Sequence, residues 1–125
     1  MIVLDTSIWI EFLKKNPDIF PIIKSKLENQ KVYGLEFIFG ELLQGSKDIK
    51  EKNIIIEYWK NIPKINTDGI WIEAGILSSD NKLFAKGIGL IDCAIILSAR
   101  RENAQVWSLD KKLNSLLKKE EKFIV

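Results

Sequence analysis

Four acids in this 125-residue chain stand among apolar neighbours, and three of them lie where a strand-like run gives way to a helix-like one. Asp5 ends the run Met1-Ile2-Val3-Leu4. Asp92 opens an apolar helix in Gly89-Leu90-Ile91-Asp92-Cys93-Ala94. Asp110 comes after Val106-Trp107-Ser108-Leu109. Glu41 lies inside Phe37-Ile38-Phe39-Gly40-Glu41-Leu42-Leu43, with Phe37 four residues back and Ile38 three back, so it cannot easily point straight into bulk water. Taken singly each has a plainer role: Asp5, Asp92 and Asp110 suit helix caps or first-turn acids, and Glu41 suits the edge of an amphipathic helix. Taken together they imply something else. Carboxylates gathered at one edge repel one another and raise one another's pKa unless a cation is supplied. All-oxygen ligands of this kind favour Mg²⁺ or Mn²⁺. The chain has no histidine, which excludes Ser-His-Asp triads, histidine-based ribonuclease chemistry and His-ligated zinc. Carboxylates, hydroxyls, lysines and a hard metal ion remain.

Positioning these acids is the task of alternating strands and helices. Ile2–Leu4 reads as a buried parallel strand, and Ile8, Trp9, Phe12 and Leu13 come next at helical spacing. Asn16-Pro17-Asp18 predicts the start of a second helix running to about Asn29. Lys31–Leu35 reads as a strand and Glu36–Gln44 as a helix stopped at Gly45. Residues 48 to 61 form a helix with Ile54, Ile55, Tyr58 and Trp59 on its apolar side, and Pro63-Lys64-Ile65 a brief edge strand. Asp68 to Lys86 is expected as one long helix with Ile70, Trp71, Ala74, Leu77 and Phe84 inward. Ile91–Asn103 is apolar on most sides and therefore central to the core. Gln105–Ser108, Asp110–Lys119 and Lys122–Val125 complete the chain as strand, helix and strand. The expected fold is α/β, a mainly parallel sheet of about five strands with helices on both faces, as one domain over residues 1–125. In such sheets ligands bind at the carboxyl ends of the strands, where Asp5 sits.

Composition agrees with an ordinary globular protein: 46% hydrophobic, 29% charged, net charge +2. Setting four of the 17 acids in one pocket leaves the 19 Lys and Arg in excess over the remaining surface, a distribution suited to a polyanion arriving with metal ions. The single cysteine, Cys93, cannot form an internal disulfide and suits a small buried hydrophobe. No basic leader precedes the strand-like residues at position 2, and no apolar stretch is long enough to span a bilayer. The expected location is the cytoplasm.

Leu4-Asp5-Thr6-Ser7, Gly40-Glu41-Leu42-Leu43-Gln44-Gly45, Gly89-Leu90-Ile91-Asp92-Cys93-Ala94-Ile95-Ile96 and Val106-Trp107-Ser108-Leu109-Asp110 together resemble the four acidic motifs of the PIN-domain family. In length and motif order the chain is similar to the family's VapC-type toxins. Ser108 stands where such toxins often carry Thr, keeping the hydroxyl. The resemblance implies a three-layer α/β/α fold and a Mg²⁺- or Mn²⁺-dependent endoribonuclease, the toxin of a toxin–antitoxin pair. It also implies an RNA substrate, a cognate antitoxin partner and a homodimer. Asp5, Glu41 and Asp92 would hold a metal ion, and Asp110 would hold a second ion or orient the attacking water. Thr6 and Ser7 would fix a water at the metal or serve as helix caps, and Ser108 would orient Asp5.

Arg100, Arg101, Lys111, Lys112, Lys118 and Lys119 are candidates for RNA phosphates, or simply solvated charges. Trp59, Trp71 and Trp107 suit the core better than base-stacking platforms. The helices before Gly45 and over residues 48 to 61 carry large apolar residues in excess, as a surface covered by a second copy or an antitoxin segment would. A phosphoacceptor receiver would need adjacent acids after the first strand, and a haloacid-dehalogenase-type phosphatase a second Asp where Ser7 stands. The remaining alternative is a degenerate PIN domain that binds RNA or protein without turnover.

Overall fold

Every side chain of Ile2-Val3-Leu4 is buried in the computed structural model, which describes residues 1–125, as a strand covered on both faces requires. This strand, β1 (Ile2–Leu4), lies in the middle of a parallel sheet. It pairs on one side with β2 (Val32–Tyr33) and on the other with β3 (Gln105–Trp107). The ladder runs one residue past β1, where the Asp5 N–H donates to the Trp107 carbonyl at 3.0 Å. Because the strands are parallel, the segments after β1, β2 and β3 all leave the sheet at the same edge.

The sheet has three strands rather than about five. Both missing edges are present as single parallel bridges, Gly34 with Lys64 beyond β2 and Val106 with Lys122 beyond β3. Pro63 has no N–H to extend the first of these. The second carries one bond, Phe123 N–H to the Val106 carbonyl at 3.0 Å, and Ile124 and Val125 beyond it are exposed. Gly34 is where the edge needs no side chain. A Cβ there would meet the Ile62 side chain at 2.6 Å and Trp59 at 2.9 Å, so any other residue would have to displace these two side chains.

Seven α-helices flank the sheet. They are α1 (Thr6–Leu13), α2 (Phe20–Glu28), α3 (Glu36–Gln44), α4 (Ile49–Asn61), α5 (Ile70–Asp80), α6 (Leu90–Arg101) and α7 (Lys111–Leu116). The main core of 24 buried residues joins the sheet to Ile8, Trp9 and Phe12 of α1 and Ile38, Phe39 and Leu42 of α3. A second cluster of six, including Ile70 and Ala74 of α5 and Cys93 and Ala94 of α6, fills the space between those two helices. Cys93 is fully buried, as a small hydrophobe would be.

Three helices differ from the expectation, α7 by ending at Leu116 rather than at Lys119. Asn16-Pro17-Asp18 forms a turn of its own, the Asn16 side chain accepting the Asp18 N–H at 2.9 Å, and α2 begins only at Phe20 with Pro21 in its first turn. The helix expected over Asp68–Lys86 ends at Asp80. Lys82 turns to φ 53° and the Leu83 N–H reaches back to the Ser78 carbonyl at 2.9 Å, a closure that swings Leu83 into the core. Phe84, expected inward, is therefore 86% exposed, and Trp71 lies on the shoulder of α5 against Phe37, 44% exposed. Among the tryptophans expected in the core, Trp107 is buried and Trp59 is half-buried against Phe39.

Candidate functional site

Asp5 leaves β1 in extended conformation and caps α1 itself, its Oδ1 accepting the Thr6 N–H at 2.6 Å. Capping therefore does not fall to Thr6 or Ser7, whose hydroxyls are free for other partners. Ser7 Oγ donates to Asp5 Oδ2 at 3.1 Å and accepts the Leu109 N–H at 3.1 Å. Ser108 Oγ donates to the same Oδ2 at 2.5 Å and accepts the Asp110 N–H at 2.9 Å. Three donors thus hold a carboxylate that is only 8% exposed, and its orientation is set from two elements distant in sequence.

Thr6 faces the other way. Its Oγ1 donates to Glu41 Oε1 at 2.8 Å, tying the first acid's neighbour to the second acid. Glu41 is half-buried because Ile38, Phe39 and Leu42 turn the apolar face of α3 into the core and leave Glu41 at its margin. Asp92 stands in the first turn of α6, its Oδ2 accepting the Gly89 N–H at 3.3 Å. Asp110 caps α7, with Oδ1 accepting the Lys112 N–H at 2.8 Å.

A common division of labour appears in the last three acids. Each gives one oxygen to a protein donor, Asp92 and Asp110 to the start of their own helix and Glu41 to Thr6, while Glu41 Oε2, Asp92 Oδ1 and Asp110 Oδ2 have no protein donor. The local roles anticipated for Asp92 and Asp110 are present, and they leave half of each carboxylate unspent. No lysine or arginine pairs with any of the four, since the ion pairs of the molecule are Lys24–Glu28, Lys60–Glu57, Arg100–Glu121 and Arg101–Glu73. The charges are close enough to be felt. Burial pushes the Asp92 carboxyl above its ordinary value, the Gly89 N–H pulls it back, and the charges of Asp110, Asp5 and Glu41 push it up again. The four sequence-predicted acids therefore share one electrostatic neighbourhood.

The donor set fits a hard divalent cation chemically: oxygen only, anionic, and without a compensating side chain. It is not closed, because no three of these groups converge on a single point as the ligands of one ion do. Asp110 is exposed and Glu41 half-buried.

The basic candidates separate in the structure. Arg100 is held by Glu121 at 2.6 and 3.2 Å. Arg101 is held by Glu73 and by the carbonyls of Asn66 at 2.9 Å and Asp68 at 2.7 Å. Two further features stand out, of which the first escapes a reading of the sequence and the second lies on a surface that the sequence marks as over-supplied with apolar residues. One is the pairing of Thr6 with Glu41, for which no local signal exists. The other is a shallow apolar groove on α4 lined by Ile49, Ile54 and Tyr58 with Asn53 and Glu57, whose sequence signal is Ile49 preceding the anticipated apolar side. No helix is long and apolar enough to cross a membrane.

No curated protein matches the chain by sequence. Among solved structures it is similar to the crystal structure of FitAcB from Neisseria gonorrhoeae, with a TM-score of 0.61 at 22% identity, covering 90% of this chain and 90% of that one. The PIN domain family profile matches residues 2–119. The parallel sheet, the helices on its faces and this match over nearly the whole length lead to one conclusion: the chain belongs to the PIN domain family.

Proposed function

We propose that this PIN domain is a Mg²⁺- or Mn²⁺-dependent endoribonuclease, the toxin of a toxin–antitoxin pair of the VapC type, acting through Asp5, Glu41, Asp92 and Asp110. The observation that carries the reading is the uncompensated acidic neighbourhood around Asp92 at the carboxyl edge of the sheet. One or two divalent ions bound there would supply a Lewis acid for the phosphodiester and an activated water for in-line attack. Asp5 is the fixed member of the set, because Ser7, Ser108 and the Thr6 N–H hold its orientation before any ligand arrives. Thr6 holds one oxygen of Glu41. Asp92 and Asp110 each keep an oxygen for the metal while their other oxygen secures the start of a helix.

The exposed apolar surface points to the partners. We assign the α4 groove, where Ile49 is 70% and Ile54 41% exposed, to a segment of the cognate antitoxin. The face of α5 carrying Trp71, Ile72 and Ile76 goes to a second copy of the chain. A degenerate, non-catalytic PIN module is the second reading, and the open arrangement of the four acids is what favours it. Incubating single-stranded RNA with the protein and Mn²⁺, with Mn²⁺ and the Asp92→Asn variant, or with chelator distinguishes the two. Cleavage by the wild type alone, falling by orders of magnitude in the other two reactions, supports the nuclease. Binding without cleavage in all three supports the module.

A further inference from the structure

Lys112 joins the segments that carry the third and fourth acids. Its backbone N–H is held by Asp110 Oδ1 at 2.8 Å, and its side chain runs back to the loop before α6, where Nζ donates to the Gly87 carbonyl at 3.4 Å. Gly87 is two residues ahead of Gly89, whose N–H holds Asp92. The loop makes room for the ammonium: Gly87 has φ +78°, and a Cβ on it would lie 2.7 Å from Lys112 Nζ. No acid claims this cation, in contrast to Arg100 and Arg101. Lys111, Lys118 and Lys119 have no side-chain hydrogen bond that directs them toward the site.

We infer that Lys112 holds a phosphate of the RNA strand at the rim of the acidic site. The inference rests on the ribonuclease reading above. A pocket of four acids repels the polyanion it must receive, and a metal ion answers that repulsion only at the scissile phosphate. A neighbouring phosphate needs a cation not already neutralised by protein. The Gly87 carbonyl is a neutral acceptor at the far limit of hydrogen bonding, and a phosphate oxygen replaces it with a shorter, charge-assisted bond. Lys112 is thus held at the rim by a contact weak enough to exchange.

Steady-state cleavage of a short single-stranded RNA with Mn²⁺, at several NaCl concentrations, tests this with wild type, Lys112→Ala, Lys112→Arg and the control Lys31→Ala, an exposed lysine ahead of β2 at the opposite edge of the sheet. Lys112→Ala should raise KM about tenfold, the range of one charge-assisted phosphate contact, with kcat little changed. The slope of log KM against log salt should fall by about 0.7, the counterion equivalent of one single-strand phosphate. Lys112→Arg should restore most of the affinity, Lys31→Ala should match wild type, and the Mn²⁺-induced rise in melting temperature should be the same in all four proteins. An unchanged KM and salt slope in Lys112→Ala, with wild type cleaving normally, overturns the inference and leaves the nuclease standing. Loss of the Mn²⁺-induced rise in Lys112→Ala overturns it as well, by showing that the lysine supports the fold of the acidic site. Wild type that does not cleave RNA sinks both readings together.

Discussion

At Asp92 the carboxyl stands above its ordinary value first because it is buried, and then because Asp110, Asp5 and Glu41 surround it with like charge, against the pull of the Gly89 N–H. An acid raised in the folded state binds its proton more tightly there than in the unfolded chain. The contribution of Asp92 to the stability of the metal-free fold therefore falls as pH rises past the ordinary carboxylate value, where the unfolded chain ionises Asp92 first. Asp92→Asn removes that cost and keeps an oxygen to accept the Gly89 N–H. Melted in chelator, the variant should unfold at the same temperature as wild type or higher. With Mn²⁺ at about a hundredfold excess over its dissociation constant, wild type should gain about 2.7 kcal/mol and the variant much less. Equal metal-induced gains in the two proteins would mean that Asp92 is a helix-start acid alone and that the metal sits elsewhere.

Helix ends show a device of their own. After α1, α2, α5 and α6 the chain turns through a non-glycine residue with positive φ: Lys15, Gln30, Lys82 and Asn103. Each turn carries the same backward bond, as in Lys31 N–H to the Lys26 carbonyl at 2.9 Å and Ala104 N–H to the Ala99 carbonyl at 2.9 Å. Gly45, the expected glycine stop, ends α3 at φ −88° and uses none of glycine's freedom. The left-handed conformation costs a side-chain-bearing residue about 1 kcal/mol. Gln30→Gly, exposed and with no side-chain hydrogen bond, should therefore raise stability by about 0.5–1 kcal/mol in urea unfolding. No gain, or a loss, would show that the residue's contacts or the added freedom of the unfolded chain outweigh the relief.

Over the molecule as a whole, half of the twelve large exposed apolar residues collect in two places. One is α4, within the region the sequence marks as over-supplied. The other is α5 and the turn after it, where Ile72 is 72%, Ile76 56% and Phe84 86% exposed. Residues 72 and 76 are one turn apart on the same face, and the aromatic edge of Trp71 extends that face toward Phe37. Sedimentation at micromolar concentration should show a dimer, converted to a monomer by Ile72→Glu with Ile76→Glu while the circular dichroism spectrum is retained. A wild-type monomer at that concentration would rule out the α5 face as a self-association surface.

Local periodicity decided a good deal by itself. Three branched apolar residues stopped by Asp5 identify a buried strand and the place of the first acid at its end, because strand burial and the handover to a helix are properties of neighbouring residues. The bounds of α3, Glu36–Gln44, are readable for the same reason. Other features depend on groups that meet only when the chain is folded. Ser108 reaches Asp5 across 103 residues of sequence, and Thr6 reaches Glu41 across 35; the cap at Asp5 is a local role the sequence offers and the Ser108 contact follows from the family resemblance, whereas no window of sequence shows that Thr6 holds Glu41. The two outer strands reduce to single bridges because pairing there depends on what the adjacent chain offers at Gly34 and Val106. The break after Asp80 is hidden because a lysine can adopt the left-handed turn when burial of Leu83 offsets its cost. Which basic residues remain uncommitted is likewise a tertiary matter. Arg100 and Arg101 find Glu121 and Glu73, whereas Lys112 finds only the carbonyl of a glycine.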